Sequence, residues 1–352
     1  MYKNLLGWLS MILLLPSCSD NSPNISVVCE ENNVGNCVIK WETAPLIKGQ
    51  VKVYASTDPE VITEDIPVAM ADISNQQLTI VTNNPEKRYY YLMVFNNQYR
   101  IKIATRNINI PGVQNFRDLG GYKAAEGKNI RWGMLYRSGE INHLQECSFK
   151  KLKRIGIKTI IDLRSNEELA DVTPLQKGFH VIHIPIATGS MDGILKDLQQ
   201  DKIKGDTISR IIKSTYRDLT IRYQSEYKKI IEALLDKQNY PIVFHCSEGK
   251  GRTDVVAALI LTALGVNADI IMEDYHLSNN YFSIPQAVSK YAYKQPVKSQ
   301  EAITTLFSTQ DDFLNAAKEE IEKNYGDVDT YLKKRLGLNK EKRARLRDIL
   351  LE

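Results

Sequence analysis

His245-Cys246-Ser247-Glu248-Gly249-Lys250-Gly251-Arg252-Thr253 is the stretch on which the reading of this chain turns. It follows a short apolar run, Tyr240–His245, and opens a second one, Thr253–Leu264, so it reads as the turn between a buried strand and a helix. A cysteine at that point meets free backbone N–H groups and the positive end of the helix dipole, a position that favours thiolate over thiol. The amides from Ser247 to Arg252 can curl into a nest that fits a phosphate dianion. Gly249 and Gly251 supply the backbone freedom such a nest needs. Arg252 carries a planar fork that pairs two phosphate oxygens at once. Thr253 is placed to hydrogen-bond the sulfur, and His245 to orient the loop from behind. Lys250 is either a second cation facing the phosphate mouth or a solvated loop charge. The phosphate-binding set is therefore Ser247, Glu248, Gly249, Lys250, Gly251 and Arg252, with Cys246 as nucleophile. This chemistry asks for no metal and no cofactor.

Working outward, the chain from about 110 alternates buried apolar runs with helical stretches. Lys158–Leu163, Val181–Ile186 and Tyr240–His245 read as strands; Leu144–Ile155, Ile194–Leu235 in pieces, and Thr253–Leu264 read as helices. That alternation predicts an α/β fold with a mainly parallel sheet flanked by helices. Arg137, Asp162, Arg164 and Glu167 are charges beside buried runs. Buried charges must be paired, so they read as ion pairs bracing the sheet beneath the loop. The sharper alternative gives Arg164 contact with phosphate and Asp162 proton work.

The loop resembles that of the cysteine-dependent protein phosphatases: His-Cys, five residues, Arg, then Ser or Thr. The resemblance continues through Asn115-Phe116-Arg117-Asp118-Leu119-Gly120-Gly121-Tyr122, Leu135-Tyr136-Arg137-Ser138-Gly139 and Ile161-Asp162-Leu163-Arg164-Ser165 with Glu167 and Glu168. It ends in Glu273-Asp274-Tyr275-His276-Leu277-Ser278-Asn279 and in Tyr325-Gly326, Tyr331-Leu332 and Leu336-Gly337-Leu338. Together these blocks look like the tyrosine phosphatase family that includes bacterial secreted virulence phosphatases. The resemblance spans about 110–350 and implies hydrolysis of a phosphomonoester through a phosphocysteine intermediate, with phosphotyrosine protein as the leading substrate. The Gly-Lys-Gly-Arg run is also similar to phosphatases of phosphoinositides, so a phosphoinositide or inositol phosphate is the second reading. A weakly active phosphate-binding module is the third.

One departure bears on mechanism. Close bacterial relatives often carry Asp where this chain has Gly251, and that Asp is their proposed general acid. Other branches place the acid on a loop after a neighbouring strand. Here that loop contains Asp192 between glycines, a candidate acid or else a helix cap. Asp197 and Asp201 are poorer candidates, and Asp254 reads as pointing away. In the resembled family the stretch matching 194–235 forms a lid over the cleft.

Residues 25–108 look all-β. The runs Ile25–Cys29, Cys37–Trp41, Gln50–Ala55, Gln77–Val81, Tyr89–Phe95 and Tyr99–Ala104 are separated by turn signals. They resemble in pattern a fibronectin type III or immunoglobulin-like sandwich with Trp41 in its core. The stretch carries no catalytic constellation and reads as a spacer or a docking surface. Cys29 and Cys37 flank a predicted hairpin turn and read either as a bridge or as two small buried hydrophobes. Cys147, on a predicted helix, reads as a core residue rather than a resolving thiol.

The first seventeen residues have the shape of a secretory signal: Lys3, an apolar run from Leu5 to Leu15, then Leu15-Pro16-Ser17-Cys18. That ending resembles a bacterial lipobox, which implies lipid on Cys18, a tether over 18–24, and a membrane-anchored protein in the periplasm or on the cell surface. Composition fits a globular protein: 352 residues, 43% hydrophobic and 25% charged. It excludes a disordered chain, a collagen-like chain and a multi-span membrane protein. A net charge of only +4 argues against a nucleic-acid partner. His180 and His183 lie three apart on a predicted strand and so face opposite sides, which argues against a metal site.

Overall fold

The computed structural model describes residues 22–32, 34–82, 84, 87–142, 144–169, 178–189, 191–200, 202–291 and 299–352. The predicted signal segment and Cys18 lie outside these residues, as does most of the tether. No helix among the described residues is long and apolar enough to cross a membrane.

Seven strands come first: β1 (Asn24–Glu31), β2 (Cys37–Ala44), β3 (Gln50–Ser56), β4 (Ala69–Asp72), β5 (Gln77–Ile80), β6 (Tyr90–Phe95) and β7 (Tyr99–Ala104). They form two antiparallel sheets, β1-β2-β5 and β4-β3-β6-β7. Strand β2 shows why they pack: Cys37, Ile39, Trp41 and Thr43 are buried, while Lys40 and Glu42 alternate outward. The inner faces meet around Trp41, whose indole nitrogen donates to the Ile73 carbonyl at 2.8 Å and whose ring meets Phe95 edge-on. The β1–β2 hairpin closes on Asn32, whose side-chain oxygen accepts from the amides of Val34 and Asn36. Cys29 lies opposite Ile39 and Cys37 opposite Glu31, so the two cysteines are diagonal neighbours; both are free and buried. The neighbouring Cys37, with burial, pushes the Cys29 thiol well up from the ordinary value. Cys147 is exposed on its helix, not in a core. Its sulfur lies near Gln145 and Ser148, and the buried face of that helix is carried by Ser148 and Leu152.

The second layer system holds β8 (Arg117–Asp118), β9 (Leu135–Ser138), β10 (Thr159–Asp162), β11 (His180–His183) and β12 (Ile242–His245) in the order β11-β10-β12-β9-β8. All neighbours are parallel except the edge strand β8. Register sets Asp162 and Ser138 on either side of His245, so β9, β10 and β12 end at one level. Ligands of such sheets bind beyond the carboxyl ends of the strands.

Eleven helices surround this sheet among the described residues: α1 (Glu146–Arg154), α2 (Met191–Gln199), α3 (Gly205–Arg222), α4 (Gln224–Leu234), α5 (Arg252–Leu264), α6 (Ala268–Tyr281), α7 (Ile284–Tyr291), α8 (Gln300–Phe307), α9 (Asp311–Tyr325), α10 (Val328–Lys334) and α11 (Lys340–Leu350). Helix α5 is apolar around its whole circumference and is buried accordingly, the signature of a central helix. It stops at Gly265, whose left-handed φ of 82° caps it.

The β-sheet pair is fastened to the α/β layer by buried contacts. Arg88 pairs with Asp118 at 2.7 Å, with both side chains almost fully buried, and donates to the Tyr136 hydroxyl at 2.6 Å. Trp132, from the α/β part, packs into the core around Trp41. Residues 24–104 are thus not a spacer swinging on a linker.

Candidate active site

Residues 246–251 leave β12 and enter α5 as a tight loop whose carbonyls are taken up by neighbouring donors. The Gly249 carbonyl accepts from Asn115 at 2.8 Å and from Arg137 at 2.9 Å. The Ser247 carbonyl accepts from the Glu140 amide, the Lys250 carbonyl from the Thr253 amide, and the Gly251 carbonyl from the Val255 amide. The amides of Ser247, Gly249, Lys250 and Gly251 have no partner among the described residues, as an anion nest requires. Gly249 makes this possible. Its φ is +67°, and a Cβ there would lie 2.5 Å from the Ser138 and Gly139 backbone. Gly251, at φ +31°, has nothing within 4 Å of a Cβ.

Cys246 is buried at the floor. Its Sγ lies 3.3 Å from the Lys250 carbonyl and accepts from the Thr253 hydroxyl at 3.2 Å. Arg252 opens α5, and its guanidinium is held on several sides. Nη1 donates to Glu168 Oε2 at 2.5 Å and to the Ile186 carbonyl at 3.1 Å; Nη2 donates to Glu168 Oε1 at 2.9 Å and to the Ser247 hydroxyl at 3.3 Å. Nε has no partner among the described residues. Ser247 also donates to Glu168. Burial alone would raise the Glu168 carboxyl, but its bonds to Arg252 and Ser247 win and hold it at about 2. Glu168 was visible in the sequence only as part of a Glu-Glu pair; its grip on Arg252 had no signal there.

Behind the loop the charges brace one another. Asp162 binds Arg164 through both oxygens, at 2.6 and 3.0 Å, and Arg164 reaches Glu140 at 3.7 Å. His245 is buried with Nε2 3.6 Å from Asp162 and Nδ1 3.3 Å from the Cys246 carbonyl. Burial holds its pKa below the ordinary histidine value, against the pull of Asp162. Arg137 joins Asp254 and, at 2.8 Å, Asp274, which also binds Arg117 at 3.1 Å. Asp254 accepts from the Tyr216 hydroxyl at 2.8 Å, so it faces the brace and not the cavity. Burying these charges is tolerable because each is paired.

The loop floors a cavity of about 110 Å³ walled by Ile194, Ile211, Ile212, Tyr216, Leu306, Phe307 and Phe313 and shared by Glu248 and Lys250. The cover is drawn from α2, α3 and α8. Of the stretch 194–235, α3 also packs along α8 and α9, and α4 is buried in the main core through Tyr227, Ile230 and Ile231. Lys250 is not a solvated loop charge. It is buried, its ammonium donates to the Phe307 carbonyl, and it sits 5.2 Å from the Phe282 ring centre. Burial lowers it from 10.5 to about 8. Asp192 falls in the first turn of α2, but its side chain lies outside the described residues, as does Asp201. Asp197 is on α2, 3.9 Å from Lys202.

Residues 108–352 match the model of the tyrosine phosphatase family, and the chain belongs to that family. A Cupriavidus necator protein whose name assigns it to the tyrosine-protein phosphatases is 28% identical over 63% of this chain and 81% of its own. The triple specificity protein phosphatase PtpB of Mycobacterium tuberculosis is 28% identical over 69% of this chain and 98% of its own. Among solved structures the chain matches P. aeruginosa TpbA bound to phosphotyrosine, at 15% identity and a TM-score of 0.25, over 51% of this chain and 89% of that one. Strands β1 to β7 lie outside the family match.

Proposed function

We propose that this enzyme removes phosphate from phosphotyrosine in proteins. Cys246 attacks phosphorus in line, the loop amides and Arg252 hold the equatorial oxygens as charge builds on them, and water then releases phosphate from the phosphocysteine. The observation that carries the reading is the loop itself: a buried sulfur at the floor of a nest where the amides of Ser247, Gly249, Lys250 and Gly251 have no partner among the described residues. The Thr253 hydroxyl at the sulfur stabilises it as it leaves in the second step.

A phosphoinositide is the second reading. It is favoured by Lys250, a further cation lining the cavity with Arg252. Hydrolysis of a phosphotyrosine peptide, a phosphoserine peptide and a phosphoinositide panel by the wild type and Cys246→Ser tests both. Peptide turnover with phosphotyrosine preference, lost in the variant, supports the first reading. Turnover of the lipids alone supports the second.

The N-terminal part of the reading is inferred from pattern. The lipobox-like Leu15-Pro16-Ser17-Cys18 supports lipid on Cys18 and a periplasmic or cell-surface address. The sheet orders β1-β2-β5 and β4-β3-β6-β7 support a fibronectin type III-like module.

A further inference from the structure

The first step of this reaction needs a proton for the leaving oxygen, and Gly251 has no side chain to give one. The acidic groups bracing the loop are committed to cations: Asp162 to Arg164, Glu168 to Arg252, Asp254 to Arg137, and Asp274 to Arg117 and Arg137. Glu248 lines the cavity, where its charge acts on Lys250 and Arg252. Among the described residues lining the cavity, Lys250 is an ammonium beside Cys246 and Arg252 with a proton to release. One of its three N–H bonds is spent on the Phe307 carbonyl, which fixes the ammonium against the Phe282 and Phe307 rings. The other two have no partner among the described residues.

We propose that Lys250 is the general acid of the first step, giving an Nζ proton to the oxygen that leaves phosphorus. The proposal rests on the phosphatase reading. The Cys246 thiolate forms the S–P bond; the P–O bond to the aryl group breaks with its electron pair on oxygen; that oxygen takes the Lys250 proton, leaving a neutral amine and a phenol. In the second step water attacks phosphorus and the S–P pair returns to sulfur. The amine takes the proton that water loses, restoring the ammonium and releasing hydrogen phosphate.

The surroundings suit the role. Nζ contacts the Phe307 carbonyl and ring from α8 and Phe282 after α6, and the charges that act on it are those of Asp254 in α5, from behind the loop, and of Glu248 and Cys246 in the loop. Burial outweighs the three acidic neighbours and brings the ammonium to about 8. A donor near neutrality works well against a phenol of pKa about 10. The leaving oxygen of tyrosine needs such a donor; that of 2,4-dinitrophenyl phosphate does not.

The test is kcat/KM across a series of aryl phosphates, from phosphotyrosine to 2,4-dinitrophenyl phosphate, for wild type, Lys250→Gln, Lys250→Arg and Asp192→Asn. Expected is a loss on the order of 100-fold for Lys250→Gln on phosphotyrosine, with little loss on the dinitrophenyl ester. Wild-type kcat/KM falls above about pH 8, and Lys250→Arg, which stays charged to far higher pH, moves that fall upward. Should Lys250→Gln not fold, the Lys250→Arg profile decides alone. An equal loss across the series marks a phosphate-binding cation and overturns the proposal. So does an unmoved basic limb in Lys250→Arg, or a graded loss in Asp192→Asn. A wild type inactive on every ester overturns the phosphatase reading instead, and the proposal with it.

Discussion

Glu168 holds Arg252 by both carboxylate oxygens, at 2.5 and 2.9 Å, and so fixes the guanidinium that must receive phosphate. The two Nη groups are occupied by Glu168, Ile186 and Ser247, which leaves the Nε edge for the substrate. Glu168 is thus a positioning residue. Glu168→Ala should lower kcat/KM about 10- to 100-fold by loosening Arg252, and Glu168→Gln, which keeps one acceptor, should restore part of it. Vanadate affinity should fall in parallel. Tighter vanadate binding in Glu168→Ala would mean that the carboxylate competes with phosphate.

The same pair has a pH signature. Its folded carboxyl sits at about 2 against an ordinary 4.5, so its contribution is complete above 4.5 and lost as pH falls through 2. Melting curves between pH 5 and pH 2 should drop less steeply in Glu168→Gln than in wild type. Identical slopes would show that the pair adds no stability.

Arg88 and Asp118 predict that the front sheets and the α/β layer unfold together. Removing one partner of a buried pair costs about 3–5 kcal/mol, so Arg88→Ala should lower the urea midpoint in a single transition. A chain starting at residue 108 should lose the partner of Asp118 and the packing around Trp132, and purify as an unfolded or aggregated species. A folded, active truncation would sink this.

The two loop glycines should answer differently to alanine. At Gly249 a methyl meets the Ser138 backbone at 2.5 Å in a left-handed conformation, so Gly249→Ala should abolish measurable turnover. At Gly251 space is open, and only the backbone angle resists, at a cost of about 1 kcal/mol. Steady-state kinetics of the pair, with thermal melts alongside, check the ranking.

Thr253→Ala removes the donor to the departing sulfur. The second step should slow by about 10-fold or more, with kcat and KM falling together as phosphoenzyme accumulates. A fall in kcat/KM at unchanged kcat would place Thr253 in substrate binding instead.

The loop was legible because its chemistry fixes residue types at fixed spacing: sulfur, two glycines, arginine and threonine between a strand and a helix. Three strands of the parallel sheet were legible from apolar runs alternating with helices, although the one expected over Val181–Ile186 lies at His180–His183. Leu135–Ser138 and Arg117–Asp118 were not, because buried arginines and an aspartate hide a strand whose charges are neutralised by distant partners such as Asp274. Ala69–Asp72 escaped because Ala-Met-Ala-Asp at a sheet edge has none of the β-branched residues that mark strands. Glu168 on Arg252 and Phe307 on Lys250 are contacts across 84 and 57 residues, which no local pattern encodes.

The central claim is that Cys246 carries the phosphoryl group. Rapid acid quench of the wild type during turnover of 2,4-dinitrophenyl phosphate, followed by peptide mapping, tests it directly. The account predicts one phosphoryl group on the peptide containing Cys246, more of it in Thr253→Ala, and neither adduct nor turnover in Cys246→Ser. Turnover by Cys246→Ser at the wild-type rate, or a phosphoryl group on any other residue, would contradict it.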